Sequence, residues 1–449
     1  MINKEIEKFF ENIPSRITPS IKMDDVNQII KVYEGEFDLK TDSITIKLTG
    51  TITFNWFPSQ GLIFSGTIIE NSGNIISLLT SRDTLELILK GSKFGDTIIT
   101  HASNVIEGII TSKTLIIGDK SISVDKVRFT IPNLRQFLGG AVKETIKESI
   151  ITSSRSRIIF ENTDYKIIID WLHDYKERFK LLNSKGGYIT LYSGELTKKK
   201  GSIDYSELRS IFYCFSTFIS FLNGRRCSAL FIQGIYNNEE KWYDYTANPT
   251  DQYKGVLSWP QESNIDGLNE LWQNFYSLWK NEENRDFLTT VIHWYNEANS
   301  NSGHAQGSII MTQTALELIY NWLLIENKKM LIGKDSENIS ASNKIRLLLS
   351  QLNAEQEIPN AFIELKALPK IIDGPDAFVQ IRNAIVHSQE EKRKRLSEMP
   401  VKAIFQARHL GIWYLELSLL YLLNFKAKYS NRTLINDKSG CEVQVPWVR

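Results

Sequence analysis

The 449-residue chain carries 53 Lys+Arg against 52 Asp+Glu, a formal net charge of +1. That balance excludes a global field drawing nucleic acid or membrane to the protein, so any such surface is a local patch. With 42% hydrophobic and 23% charged residues, the composition is that of a soluble globular protein of two to four domains.

Cys214, Cys227 and Cys441 are an odd number without metal-ligand spacing, which fits a reducing cytosol better than a disulfide framework. The opening MINKEIEKFFENIPSR has no apolar core of signal-peptide length and carries acidic residues. The most apolar run, GIWYLELSLLYLLNF (411–425), contains Glu416 and is too short for a membrane span. It reads as a buried helix of a cytoplasmic protein that has no membrane partner.

In chain order, residues 1–150 read as a β-rich domain that senses or binds. SITIKLTGTITFNW, GLIFSGTII, TLELILKG, DTIITHAS, GIITSKTLIIG and SVDKVRFTIP are short Ile-, Thr- and Val-rich runs punctuated by Gly, Asn, Asp and Ser. Their spacing predicts a β-sandwich or a partly closed barrel. His101 is the region's single histidine and reads as structural.

Residues 151–280 read as a mixed α/β domain. DYSELRSIFYCFSTFISFLNG predicts a mostly buried helix with Asp204 as N-cap and Gly224 as its stop, and RRCSALFIQGIY predicts a strand. The basic loop TKKKGS (197–202) reads as solvated.

Residues 281–430 read as an all-α bundle. NRDFLTTVIHWYNEAN spaces Phe287, Val291 and Trp294 on one face, and His293 between Ile292 and Trp294 reads as a core histidine. GSIIMTQTALELIYNWLLIEN carries a stripe of Ile310, Ala315, Leu318 and Trp322. SASNKIRLLLSQL predicts a helix capped by Ser340 or Ser342. GPDAFVQIRNAIVHSQ places Pro375 in a first turn. VKAIFQARHLGIWYLELSLLYLL supplies a final long helix. Residues 431–449, ending in CEVQVPWVR, read as a terminal strand or tail packed back on another domain. The whole is a multidomain α+β protein.

The segment RNAIVH carries the most distinctive chemistry. Arg382 and His387 are five residues apart, about 140° around an ideal helix, whereas Asn383 and His387 share a face. A histidine that titrates near neutral pH suits proton transfer to and from a ribose 2′-hydroxyl or a leaving oxygen. The arginine supplies a forked cation for charge building on phosphate, and the asparagine can orient the imidazole or hold a phosphate oxygen. No metal or cofactor is called for. Glu317, within an apolar helix, is a candidate to orient Arg382 or His387. Lys392, Arg393, Lys394 and Arg395 follow the motif where they could attract RNA phosphates. P-loop, G-x-S-x-G, H-E-x-x-H and C-x-x-C motifs are absent.

RNAIVH resembles the R-x4–6-H signature of the HEPN superfamily, in which a polar residue, often Asn, follows the Arg. The likeness spans about 281–426, and the three-region layout looks most like the ApeA-type HEPN proteins of bacterial anti-phage defence. The resemblance implies a HEPN-like helical bundle that dimerises with two motifs facing a shared cleft. It also implies a metal-independent endoribonuclease of abortive infection that acts on RNA, tRNA being one candidate, and answers to a phage protein trigger. Arg382 would stabilise the phosphate, His387 would transfer protons and Asn383 would be the polar residue after the Arg. The competing expectation is a non-catalytic HEPN-like scaffold that dimerises or holds a partner.

Overall fold

The computed structural model describes residues 10–42, 44–71, 84–146, 150–263, 265–300, 304–387, 389–434 and 442–448; Cys441 lies outside them. Six antiparallel strands form the first unit: β1 (Ile30–Lys40), β2 (Thr45–Asn55), β3 (Gly61–Asn71), β4 (Leu85–Leu89), β5 (Ser92–Ala102) and β6 (Val105–Ile110). They close into a barrel in the order β1-β2-β3-β6-β5-β4. The expected sandwich or partly closed barrel is corrected to full closure, because β1 pairs with β2 on one side and β4 on the other. Alternation sends Leu48, Ile52, Phe54, Leu62 and Phe64 inward, where they are essentially fully buried. Gly50 is needed where β2 meets β3, since a Cβ there would strike the Ser65 carbonyl.

The second unit is an eight-stranded sheet of β7 (Ile116–Gly118), β8 (Lys126–Pro132), β9 (Gly140–Ile146), β10 (Ile150–Glu161), β11 (Tyr165–Trp171), β12 (Thr190–Lys198), β13 (Leu230–Tyr236) and β14 (Glu239–Asp244). Their spatial order is β7-β14-β13-β8-β12-β11-β10-β9, so the division expected at residue 150 falls inside one sheet. Helices α1 (Tyr175–Lys185) and α2 (Tyr205–Asn223) belong to this unit. Asp204 occupies the N-cap position of α2, but its carboxylate accepts from Ser123 Oγ instead of capping the helix. Gly224 stops the helix in the left-handed region at φ 71°.

An aromatic seam joins the sheet to the helical region. Phe129 and Phe160 of the sheet meet Phe212, Phe215 and Phe218 of α2 edge-on. Trp272 of α3 (Leu268–Trp279) then packs against Phe160, Phe215 and Phe218. Each such pair adds about 0.5–1.5 kcal/mol beyond area burial, so the seam makes one continuous core of sheet and helices.

The helical region comprises α4 (Glu282–Ser300), α5 (Ala305–Tyr320), α6 (Ala341–Gln351), α7 (Gly374–Val386), α8 (Glu390–Glu398) and α9 (Val401–Leu422). A π-helical segment, Asn321–Asn327, extends α5. Together Ala305–Asn327 are long and apolar enough to cross a membrane by length and composition alone, yet 56% of the apolar window is buried inside the fold. The buried stripe of α5 is Ile309, Thr312, Leu316 and Ile319. Of the expected stripe, Ala315 is buried with it and Leu318 and Trp322 are half-buried against the core, while Ile310 is 37% exposed. A helix apolar on most sides does not declare its inner face.

α9 is the central helix, buried over nearly all of Ala403–Leu420 as expected of the 411–425 run. β15 (Lys428–Ser430) and β16 (Glu442–Gln444) form a two-stranded ribbon. Trp447 Nε1 donates to the Phe425 carbonyl (2.7 Å) and its ring meets Tyr421. The tail therefore packs on the end of α9 rather than on another domain.

Candidate active site

α7 carries the motif and is seated from both ends. Asp373 caps it, accepting from the Asp376 amide at 2.9 Å, and pairs with Arg346 of α6 at 2.5 Å. Pro375 sits in the first turn, as the sequence predicts. Phe378, Ile381 and Ala384 are buried, and Phe378 lies so close over Gly411 of α9 that a Cβ there would strike its ring. This apolar stripe turns Arg382 and Asn383 to the half-buried edge of the bundle.

The helix ends at Val386. His387 is its C-cap, with extended backbone (φ −91°, ψ 112°) and its amide donating to the Asn383 carbonyl at 3.1 Å. Helical periodicity therefore stops one residue before the histidine and does not set the direction of its imidazole. The side chain is exposed. Among the described residues no hydrogen bond or ion pair joins the imidazole to another side chain.

Arg382 and Asn383 touch directly: Arg382 Nη1 donates to Asn383 Oδ1 at 3.1 Å. The amide thus holds the guanidinium, where the sequence left open whether it orients the imidazole or a phosphate oxygen. Arg382 Nε is buried without a hydrogen-bond partner, so the guanidinium keeps unused donor capacity.

Behind the arginine lies a residue that the sequence pattern did not single out. Tyr320, 2% exposed, has the Glu317 carboxylate and the Arg382 charge nearby. Burial and then the Glu317 charge push the hydroxyl's pKa up, while Arg382 opposes the shift. The hydroxyl stays a protonated donor. Lys344 Nζ stands 5.1 Å from the ring centroid of Tyr320, a cation–π contact that ties α6 to the cluster. Glu317 itself is exposed, and among the described residues it makes no ion pair with Arg382; both charges act on Tyr320. The one sequence signal for this pair is the i, i+3 spacing of Glu317 and Tyr320 on one helix. Of the basic run on α8, the structure describes the side chain of Lys394, which is exposed; the side chains of Lys392, Arg393 and Arg395 lie outside the described part.

The other polar cluster of the bundle is sealed. Arg432 bonds Glu416 Oε2 from Nε at 2.8 Å and Glu416 Oε1 from Nη2, and Tyr295 Oη donates to Glu416 Oε1 at 2.9 Å. Glu416 is 0% and Arg432 4% exposed. Burial opposes the Arg432 charge, but Glu416 outweighs it and holds the guanidinium's pKa above its ordinary value. Arg408 bonds Ser308 Oγ at 2.9 Å and the Asn299 carbonyl at 3.0 Å. Beside it, His409 is driven down to about 4 by burial and then by the Arg432 and Arg408 charges.

His293 corrects an expectation, being exposed on α4 rather than in the core. The buried stripe there is Leu288, Val291, Ile292, Tyr295 and Ala298. Residue 293 falls off that stripe, and its ring tilts against Trp294.

The architecture is thus a barrel, an antiparallel sheet with helices and a helical bundle, and the last two units coincide with two family matches. Residues 119–256 match the model of the YopA central domain and residues 281–442 that of the YopA C-terminal domain. Over 434 residues the chain is 26% identical to the SPbeta prophage-derived uncharacterized protein YopA of Bacillus subtilis (strain 168), covering 94% of this chain and 96% of that protein. No solved structure matches. The HEPN resemblance rests on RNAIVH and the order of helices around it, not on these matches.

Proposed function

We propose that the helical region is a metal-independent endoribonuclease of HEPN type. The carrying observation is the tip of α7: an exposed imidazole at His387, unbonded among the described residues, five residues beyond a half-buried guanidinium that Asn383 holds. In this reading Arg382 binds the scissile phosphate and offsets the charge that grows on its oxygens. His387 takes the proton of the 2′-hydroxyl or delivers one to the leaving oxygen. The bond from 2′-oxygen to phosphorus forms as the bond to the 5′-oxygen breaks, leaving a cyclic phosphate and a free 5′-hydroxyl. Asn383 and Tyr320 act through Arg382 as positioning residues. Two copies of the bundle would present two such tips to one RNA, and the basic run of α8, Lys394 included, would add salt-dependent attraction. The setting is cytoplasmic anti-phage defence, with the barrel and the sheet restraining or triggering the nuclease.

The test is incubation of the full chain with tRNA and total RNA in EDTA, beside Arg382→Ala and His387→Ala. Cleavage that persists in EDTA and falls by about 10²-fold or more in both variants supports the reading. Equal behaviour of all three proteins removes it. The second reading, a non-catalytic scaffold, draws on Val386 (44%), Val401 (68%) and Phe405 (41%), exposed apolar side chains on α7 and α9. It predicts a dimer that Phe405→Glu dissolves and no RNA cleavage.

A further inference from the structure

A cavity of about 280 Å³ opens between α2, the β13–β14 end of the sheet and α4, away from the motif. Its walls include the apolar side chains of Phe212, Ile232 and Ile292, all buried. Asn296 also lines it; this residue is 3% exposed, and its Oδ1 has no hydrogen-bond partner. A buried acceptor left unpaired in a folded protein is costly and calls for a donor from a ligand or water. The lining carries charges of both signs: Asp244 is held by the Tyr205 hydroxyl and the Thr246 amide, Arg226 is paired with Asp251 and Glu297, and Arg209 has no ion pair among the described residues. Arg209 is exposed, reaching the Tyr205 hydroxyl and, at 3.5 Å, the Lys113 carbonyl. His293, also exposed, belongs to the same lining.

A concave, largely apolar chamber with a few polar groups, here the unpaired Asn296 amide inside and Arg209 at the mouth, is the general form of a small-molecule site. The amide demands N–H on an otherwise apolar body, and the mouth favours an anion on the same molecule. The chamber is too small for a folded partner and large enough for one planar ring system. We propose that this cavity binds a nucleotide, its base inward against Asn296 and its phosphate outward at Arg209 and His293. The site lies where α4 of the helical region meets the sheet, so an occupant would bridge the two units and report to both.

Calorimetric titration of the full chain with AMP, GMP, CMP and UMP, and with the four nucleosides, tests this directly. At least one nucleotide should bind, and more tightly than its nucleoside by about tenfold, the worth of a charge-assisted contact. Thr217 lines the cavity, and its hydroxyl bonds only its own helix at the Tyr213 carbonyl. Thr217→Phe should therefore fill the chamber and abolish binding while the protein keeps its melting temperature. Arg209→Glu should reduce nucleotide affinity to the nucleoside level. Asn296→Leu should remove binding without lowering thermal stability, whereas a purely structural amide would lower it. Absence of binding by every nucleotide at millimolar concentration overturns the proposal. So does binding that Thr217→Phe leaves unchanged, or equal affinity for nucleotide and nucleoside. None of these readouts depends on RNA cleavage.

Discussion

The helical bundle contains two polar clusters made from the same kinds of side chain. Glu416, Arg432 and Tyr295 lie inside it, fully buried and mutually bonded. Glu317, Arg382 and Tyr320 lie at its edge, with Glu317 exposed and Arg382 half-buried. In the first, each charge is paired by the fold itself, and the cluster has no capacity left for a ligand. In the second, Arg382 Nε has no partner, and five residues on stands the exposed imidazole of His387, unbonded among the described residues. Burial with complete pairing makes a strut, while partial burial with spare donors makes a site.

The sharpest way to break that contrast is to cut the inner cluster. Arg432→Met strands the Glu416 carboxylate in the core and should cost about 3–5 kcal/mol of unfolding free energy, read by urea denaturation. The double variant Arg432→Met/Glu416→Leu should recover much of it, because the stranded charge is gone. A cost near zero for the single variant would erase the distinction between the clusters.

Next in size is a pH effect confined to the inner side. His409 has a folded pKa of about 4 against the ordinary 6.5, so between these values the unfolded chain binds the extra proton. The stability contributed by keeping the imidazole neutral is fully present above pH 6.5. It is lost as pH falls toward 4, a swing on the order of 3 kcal/mol. His409→Leu should flatten the stability profile across that window; an unchanged profile would contradict the buried placement.

The outer cluster should respond more weakly. Tyr320→Phe removes a hydroxyl set between Glu317 and Arg382 and should cost about 1 kcal/mol, with a larger fall in RNA cleavage if the hydroxyl positions Arg382. His387→Ala, at an exposed cap, should move the melting temperature by no more than about 2 °C. A large loss of stability in that variant would mean that the imidazole is packed, and would remove the site.

Much of this organisation was legible in local sequence. Pro375 in a first turn, Ser340 as a cap bonding the Asn343 amide, and Gly224 as a left-handed stop all follow from backbone chemistry within a few residues. The buried run around Glu416 was equally readable from its unbroken apolarity. Which face of an apolar helix points inward was only partly readable, as the exposure of Ile310 on α5 and of His293 on α4 shows. Nor was barrel closure, since the pairing of β1 with β4 sets Asp38 against Ile88, far along the chain.

By itself the sequence determined the order of elements, their caps and stops, and the presence of an Arg-Asn…His motif at the end of a helix. Only tertiary structure decided that Tyr320 of α5 comes close to Arg382 of α7 and that Glu416 has Arg432 for a partner. The reason is range. Backbone sterics and capping act over a turn or two, whereas the protonation and pairing of a side chain depend on neighbours that approach only when distant segments pack together.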